Sequence, residues 1–331
     1  MVLVPKRGAW EKERVMAKRS LAVLIAVIGV GLGSGPASAV LISNGIALGT
    51  VGHWDVDVWN GGESRSATIT ANRLVSPSPF NENVLFDYFT YISVGSGAAN
   101  NFRLGTGASA VLDGSGNAVS NGSFTGSLGN SINWSATSSI PAGGSVMTTV
   151  YTFTVQNESE KLGDLRLFQY MDEDIEGVGN DVYFTRGGVA TNDLQLFTVD
   201  NVEVYGVSHS GALSALQGLV NASFVGCAAD HFDNMRPRLD AGTQTLGNPD
   251  CVIQNLAAFI HPQVGAAMGP ADIVSVMAWG VDPNARTATI VTTLGGVPDF
   301  RQIPGNVPEP ASLALLGIGL AGIGALRRRR S

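Results

Sequence analysis

Cysteine and histidine are scarce in this chain, which has two cysteines and four histidines among 331 residues. The histidines, at positions 53, 209, 231 and 261, have none of the spacings that bind zinc, so a Cys/His metal centre is excluded. A G-x-S-x-G nucleophile elbow is absent too, since Gly206-Val-Ser208-His-Ser210 lacks the last glycine. These absences predict structural histidines, no resident cofactor and a protein that is not an enzyme.

Charged residues are also few, at 14% of the chain, and the composition excludes both a disordered chain and a multi-span membrane protein. Residues 40–306 hold ten lysines and arginines against 24 aspartates and glutamates, a net charge of −14. Because such a body repels a phosphate backbone, we expect no nucleic-acid partner.

Glycine is abundant by contrast, with 42 residues, and indicates many turns between short strands. Apolar and polar residues alternate over Val146–Val155, which predicts a strand with Tyr151 and Phe153 on its buried face. A second strand at Leu165–Met171 would complete a hairpin with it. Similar runs predict strands at Ile46–Trp59, Val84–Val94, Val182–Thr185, Leu194–Val207, Ile273–Val281 and Ala285–Thr293, with a turn at Asp282-Pro-Asn284.

The expected fold class is therefore all-β, an antiparallel β-sandwich ectodomain over residues 40–304 with minor helical excursions. The excursions are expected at Gly211–Val225, where leucines recur at helical spacing, and at Val252–Phe259. A division into two smaller sandwiches near Ser120–Pro141, a stretch rich in Gly, Ser and Asn, is the alternative.

The first 39 residues have the pattern of an N-terminal extension followed by a secretory signal peptide. A basic segment that starts at Met16 precedes twelve apolar residues, Leu21–Leu32, and small residues at Ala37 and Ala39 predict cleavage after Ala39. The apolar run is too short for a membrane anchor. Residues 1–15 fit no part of a signal peptide, so translation is expected to begin at Met16.

Residues 305–331 form a second distinct segment with three parts. Val307, Pro308, Glu309 and Pro310 are held extended by the prolines and cannot continue a helix. Residues 311–326 are uncharged and mostly apolar, about 24 Å as a helix, and are expected to cross the membrane with local thinning. The segment ends with a cluster of positive charges that should stay cytoplasmic while the body lies across the membrane: Arg327, Arg328, Arg329 and Arg330.

The order of Pro-Glu-Pro, apolar helix and arginine cluster resembles the PEP-CTERM sorting signal of exported bacterial proteins. The resemblance implies recognition by an exosortase, a membrane cysteine enzyme that cuts near the Pro-Glu-Pro, in a Gram-negative bacterium that makes exopolysaccharide and biofilm. Export through the Sec machinery, a transient inner-membrane anchor and a final place at the cell surface or outside the cell are expected. The expected role is structural or glycan-associated; the alternatives are a secreted glycan-active enzyme and an ectodomain that stays anchored.

One acidic stretch is a candidate metal site. Asp172, Asp174 and Glu176 take the first, third and fifth positions of a loop whose sixth residue is glycine, which resembles the calcium loop of an EF-hand, and Asn180 adds another oxygen. The twelfth position is Tyr183 instead of the bidentate glutamate. A calcium site and a solvated acidic loop both remain open.

Tryptophan and aspartate alternate in another stretch, where Asp55 and Asp57 lie between Trp54 and Trp59. Aromatic rings stack on sugar faces and carboxylates accept hydroxyl hydrogen bonds, so these four residues could form a sugar platform. The same alternation is typical of a strand with one buried and one exposed face. Both interpretations stay open.

The two cysteines, Cys227 and Cys251, are expected to form a structural disulfide in an oxidising compartment. The bond would close a loop of about 25 residues, which the chain-entropy model equates with about 3–4 kcal/mol of stability. Replacing both residues by serine is therefore expected to lower the free energy of unfolding by about that amount. Thermal unfolding of both proteins with and without reductant checks this, and a reductant effect of equal size on both would contradict it.

Overall fold

The computed structural model describes residues 39–72, 78–95, 100–105, 110–173, 175, 181–186, 195–200, 206–210, 219–242 and 273–297. In these ranges the chain forms strands β1–β17 and one α-helix, α1 (Phe232–Asp240). All strand pairs are antiparallel. The all-β prediction is confirmed.

Nine strands form the sheet that we call sheet A. Its main path runs, in spatial order, through β1 (Val40–Ser43), β2 (Trp54–Val58), β3 (Ser64–Asn72), β5 (Asp87–Val94), β11 (Leu165–Asp172), β16 (Ile273–Val281) and β15 (Ala222–His231). Two further strands extend it, with β4 (Pro79–Asn83) paired to β3 and β6 (Asn101–Arg103) paired to β5.

Eight strands form the second sheet, sheet B. Their spatial order is β12 (Asp181–Arg186), β13 (Gln195–Asp200), β14 (Gly206–Ser210), β17 (Thr287–Val297), β10 (Val146–Val155), β9 (Ser131–Ser139), β8 (Ala118–Thr125) and β7 (Val111–Leu112). Residues of the Ser120–Pro141 stretch thus lie in two paired strands of one sheet, β8 and β9.

The two sheets pack face to face around a common apolar core. Trp134, Phe153 and Ile290 of sheet B join Leu167 and Trp279 of sheet A in the largest buried cluster. The alternation in β10 is the one predicted, since Tyr151 and Phe153 are fully buried while Val150 is 36% exposed. The β-sandwich prediction is thereby confirmed.

The predicted hairpin between Val146–Val155 and Leu165–Met171 is wrong. Both strands exist, but β10 pairs with β9 and β17 in sheet B, whereas β11 pairs with β5 and β16 in sheet A. The connection carries the fully buried Leu162 into the core between the sheets. Burial of this side chain favours a crossing from one sheet to the other over a tight turn within one sheet.

The turn at Asp282 is confirmed, with the Ala285 amide donating to the Asp282 carbonyl at 3.0 Å and the Asn284 amide donating to the Asp282 carboxylate at 2.9 Å. It too joins the two sheets, since β16 lies in sheet A and β17 in sheet B. β16 has the predicted bounds. The strand predicted from Ile46 starts only at Trp54, because glycines with positive φ make turns at Gly49 and Gly52.

The helical prediction for Gly211–Val225 is wrong where the structure describes it. Val220 forms an isolated bridge with Thr289, and residues 222–225 belong to β15. The helix lies further along the chain, at Phe232–Asp240, and was not predicted. Its buried Met235 and Leu239 pack on the face of sheet A that points away from sheet B, beside Phe89 and Tyr170. The second predicted excursion, Val252–Phe259, lies outside the described residues.

A short 3-10 helix at Asn60–Gly62 enters the space between the sheets. Gly62 has φ 72°, and a Cβ built there would lie 2.6 Å from Tyr151 Oη and 2.8 Å from Thr149 Cγ2. Both the backbone conformation and the neighbouring side chains therefore require glycine at this position.

Gly62→Ala is expected to lower the free energy of unfolding by about 2–4 kcal/mol, since it adds backbone strain to a clash with the buried Tyr151. Gly116→Ala is the matched control, because Gly116 has φ 82° but no atom lies within 4 Å of the position that a Cβ would take there. The control is expected to cost only about 1 kcal/mol. Denaturant unfolding measures both, and equal losses would contradict the packing argument.

Candidate functional site

The outer face of sheet A, the face away from sheet B, carries a group of arginines, carboxylates and aromatic rings at its centre. β5 places Phe89 on this face because its neighbour Tyr88 faces the inner core. We call the group the arginine–aromatic face and define it by these residues: Trp59, Glu63, Arg65, Asp87, Phe89, Arg103 and Arg236.

The Phe89 ring is the centre of the arginine–aromatic face. The guanidinium carbon of Arg103 lies 3.4 Å from its centroid, and those of Arg236 and Arg65 lie at 5.2 Å and 5.6 Å. The Tyr170 ring stacks beside it with centroids 6.0 Å apart. Three cations thus surround one fully buried ring, an arrangement that cation–π attraction stabilises.

Glu63 is a buried carboxylate, only 4% exposed, that Arg103 holds with two hydrogen bonds. The Arg103 Nε donates at 3.0 Å and one terminal amino group donates to the other oxygen. Burial raises the pKa of Glu63 above its usual range, and the hydrogen bond from Arg103 opposes this. The pair is a fixed bidentate contact inside the protein.

Asp87 is the second buried carboxylate and contacts two arginines. Arg236 of α1 donates to Asp87 Oδ2 at 3.0 Å, and Arg65 Nε lies 3.8 Å from Oδ1. Burial raises the pKa of Asp87, against the attraction of Arg236 and Arg65. Asp172 lies directly opposite Asp87 on β11 and accepts a hydrogen bond from the Tyr170 hydroxyl at 2.9 Å.

Polar contacts also hold α1 against the sheet. Arg238 forms an ion pair with Asp230 of β15 at 2.9 Å, and the Tyr91 hydroxyl donates to Asp240 at 2.9 Å. The Asn101 side chain donates to the Leu239 carbonyl at 3.0 Å. Both apolar packing and polar contacts therefore hold α1, the helix that supplies Arg236, against sheet A.

The calcium prediction remains a prediction. Of its four residues the structure describes only Asp172, which is 4% exposed and hydrogen-bonded to Tyr170; Asp174, Glu176 and Asn180 lie outside the described residues. In the described part of the chain, no group of three or more His, Cys, Asp or Glu side chains has the geometry of a metal site.

The sugar-platform prediction is wrong for Trp54. Its side chain is fully buried between the sheets, where it fills the space beside Gly296. Asp55 lies on the opposite face, where its carboxylate contacts His53 Nε2 at 3.0 Å. The alternative interpretation, one buried and one solvent-side face, is confirmed, and Trp59 remains half-buried on the outer face beside Arg65.

The structural interpretation of the histidines is confirmed for His53. It is 5% exposed, and its Nδ1 lies 2.6 Å from the Ile46 carbonyl oxygen. The side chains of the histidines at 209, 231 and 261 are outside the described part of the chain.

Cys227 is fully buried in β15, and the described residues contain no free cysteine. Its predicted partner Cys251 lies outside those residues, so the disulfide stays a prediction. Ala39 directly precedes β1, which begins at Val40, whereas Ala37 is not described. The predicted cleavage point is thus next to the first strand of the sandwich.

The sorting segment, Val307–Pro310 with the apolar stretch and Arg327–Arg330, is likewise outside the described residues. No helix within the described ranges has both the length and the apolar character needed to cross a membrane.

Comparison with known proteins identifies that segment. Residues 306–330 match the family model of the PEP-CTERM protein-sorting motif. The match defines an exported protein that passes through the membrane before release or surface display. The chain carries the PEP-CTERM sorting motif that its C-terminal residues predicted, and this motif implies exosortase-dependent sorting.

No curated protein matches the sequence significantly. A crystal structure of bacterial glucoamylase complexed with acarbose is similar at a TM-score of 0.46 and 12% identity, over 89% of this chain and 36% of that chain. The chain therefore spans about a third of that protein, and the likeness supports no conclusion about activity.

No local sequence pattern predicts the arginine–aromatic face. Its residues come from positions 59 to 236 and meet only through the pairing of β3, β5 and β6 and the docking of α1. One local signal existed, the run Asp87-Tyr-Phe-Thr-Tyr91, in which aromatic residues occur on both faces of a strand.

Glu63→Gln removes one buried charge at nearly constant shape. Because burial raises the pKa of Glu63 in the folded state, the folded protein protonates this group more readily than the unfolded chain does. The buried charge of Glu63 therefore lowers the free energy of unfolding at neutral pH, and protonation removes this loss as the pH falls. The wild type is expected to gain stability relative to Glu63→Gln on acidification, measured by urea unfolding between about pH 7 and pH 4. A relative loss on acidification would mean that the Arg103 contact outweighs burial.

Proposed function

We propose that the protein is a non-enzymatic component of the cell surface or extracellular matrix that associates with exopolysaccharide. The observation that carries this proposal is the PEP-CTERM motif at residues 306–330, because the motif directs the preceding β-sandwich out of the cell. The β-sandwich is then the part of the protein that functions outside the cell, and the motif is its sorting signal.

The state of the buried carboxylates supports a non-enzymatic role. A general acid or base must exchange a proton with the substrate, which requires a carboxyl group within hydrogen-bonding reach of it. Glu63 and Asp87 are 4% and 5% exposed, and arginines occupy their oxygens. Burial in the fold therefore accounts for the raised pKa values of Glu63 and Asp87, and no catalytic role is needed to explain them.

The outer face of sheet A supports an association with polysaccharide. Trp59 is half-buried, and Arg65, whose side chain is 56% exposed, lies beside it. Arg236, whose side chain is 38% exposed, shares Asp87 with Arg65. An accessible ring edge next to fixed hydrogen-bond donors suits sugar rings, which have apolar faces and polar rims.

The proposed route begins with Sec export and signal cleavage after Ala39. Residues 311–326 then hold the protein in the inner membrane, and Arg327–Arg330 remain on the cytoplasmic side. The exosortase cuts near Glu309 and frees the acidic body.

Replacing Pro308, Glu309 and Pro310 together by alanine tests the route. The wild-type surface protein is expected to have the intact mass of a chain that ends near residue 310, whereas the variant should stay in the membrane fraction with its arginine tail. Pro304→Ala, a proline change outside the matched residues, is the control and should be processed as the wild type is. A wild-type surface protein that retains the arginine tail would contradict processing.

The proposed partner is tested separately, by co-sedimentation of the wild-type surface protein with the polysaccharide of the producing strain. Binding without a change in polysaccharide chain length is the expected result. Hydrolysis of the polysaccharide would contradict the non-enzymatic role and favour a glycan-active enzyme.

A further inference from the structure

The positive charges of this acidic body are unevenly distributed. Residues 40–306 hold ten lysines and arginines against 24 carboxylates. Five of the ten belong to strands β3, β6 and β11 of sheet A or to α1, which packs on its outer face: Arg65, Arg103, Arg166, Arg236 and Arg238.

Three of these arginines donate a hydrogen bond to a carboxylate or form a close ion pair with one. Arg103 holds Glu63, Arg236 holds Asp87, and Arg238 holds Asp230. Arg65 shares Asp87 with Arg236, and its closest approach is the 3.8 Å between Nε and Oδ1, beyond hydrogen-bonding distance. Arg236 and Arg65 thus share Asp87, and Arg236 alone of the two lies within hydrogen-bonding distance of it.

The position of Arg65 is nevertheless well defined. Its guanidinium carbon lies 5.7 Å from the Trp59 ring centroid and 5.6 Å from that of Phe89. The two rings orient the guanidinium, and more than half of the side chain is exposed, at 56%. An oriented guanidinium with exposed donors is suited to bidentate binding of a carboxylate.

We propose that Trp59, Arg65 and Arg236 form a subsite for an acidic sugar, in which Arg65 binds the sugar carboxylate and the ring packs against Trp59. The inference rests on the proposed glycan association and adds the chemical class of the glycan. The ligand is a sparsely charged acidic polysaccharide. A densely charged polyanion would be repelled by the net charge of −14, whereas one isolated carboxylate mainly meets the local field within a Debye length of about 8 Å.

The test measures binding of a trisaccharide that carries a single glucuronate residue to the full-length chain in mild detergent by calorimetry. Its methyl ester is the matched neutral probe, because it keeps the shape and loses the carboxylate. The acid is expected to bind about tenfold more tightly than the ester, and raising the salt from about 50 mM to about 300 mM should reduce this difference.

Four variants locate the binding. Arg65→Gln is expected to weaken binding of the acid about tenfold and to abolish the preference over the ester, and Trp59→Ala is expected to weaken both probes about fivefold. Arg65→Lys should restore part of the preference, since it keeps the charge without the planar fork. Arg166→Gln is the control, because Arg166 is exposed on the same sheet without an aromatic neighbour among the described contacts. Unchanged melting temperatures would exclude misfolding.

The contrary outcomes separate this inference from the proposed function. Equal binding of acid and ester, or an unchanged preference in Arg65→Gln, overturns the subsite. Failure of both probes while the strain's own polysaccharide still co-sediments also overturns the subsite and leaves the proposed association intact. Failure of that co-sedimentation counts against the proposed function itself.

Discussion

Burial of the central strands of sheet A on both faces is the constraint on which the rest of the structure depends. Its central strand β5 packs Ile92 against sheet B on one side and Phe89 against α1 on the other. Such a strand has no solvated face, so any charged group near it loses hydration and must find a protein partner. The ion pairs of Glu63 and Asp87 follow from this requirement, because each carboxylate lies at the margin of the buried region.

The same constraint explains why arginine, and no lysine, provides the contacts at this place. A guanidinium group can hold a carboxylate with two hydrogen bonds while its flat face packs on an aromatic ring. Arg103 does both, since it binds both oxygens of Glu63 and lies over Phe89. A lysine ammonium is a strongly hydrated point charge and could replace only part of this contact.

The sequence predicted what local patterns determine. Alternation gave the bounds of β10 and β16, and the order of proline, apolar and arginine residues gave the sorting motif. It did not predict which strands pair, since the choice between a hairpin and a crossing depended on the burial of Leu162, a tertiary property. The helix α1 was missed because it contains Pro237 and mostly polar residues, and only Met235 and Leu239 anchor it.

The candidate site could be predicted from the sequence even less well than the strand pairing. Glu63, Asp87 and Arg236 have no motif, and long-range pairing alone brings them together. The sugar-platform prediction from the tryptophan and aspartate run included both tryptophans, but of the two only Trp59 lies on the outer face. Trp54 faces the core with Val56 and Val58, and Trp59, five positions further on, lies on the outer side, as alternation along a strand requires.

Two of the connections that cross between the sheets, β10–β11 and β16–β17, lie against each other. The Gly163 amide donates to the Pro283 carbonyl at 3.1 Å, and the Leu162 amide donates to the Ala285 carbonyl at 2.8 Å. Each connection joins a central strand of one sheet to a central strand of the other, so these hydrogen bonds tie two covalent links between the sheets together. Separating the two sheets at this place would break both hydrogen bonds and expose the buried Leu162, so the sheets are expected to open together and not one at a time.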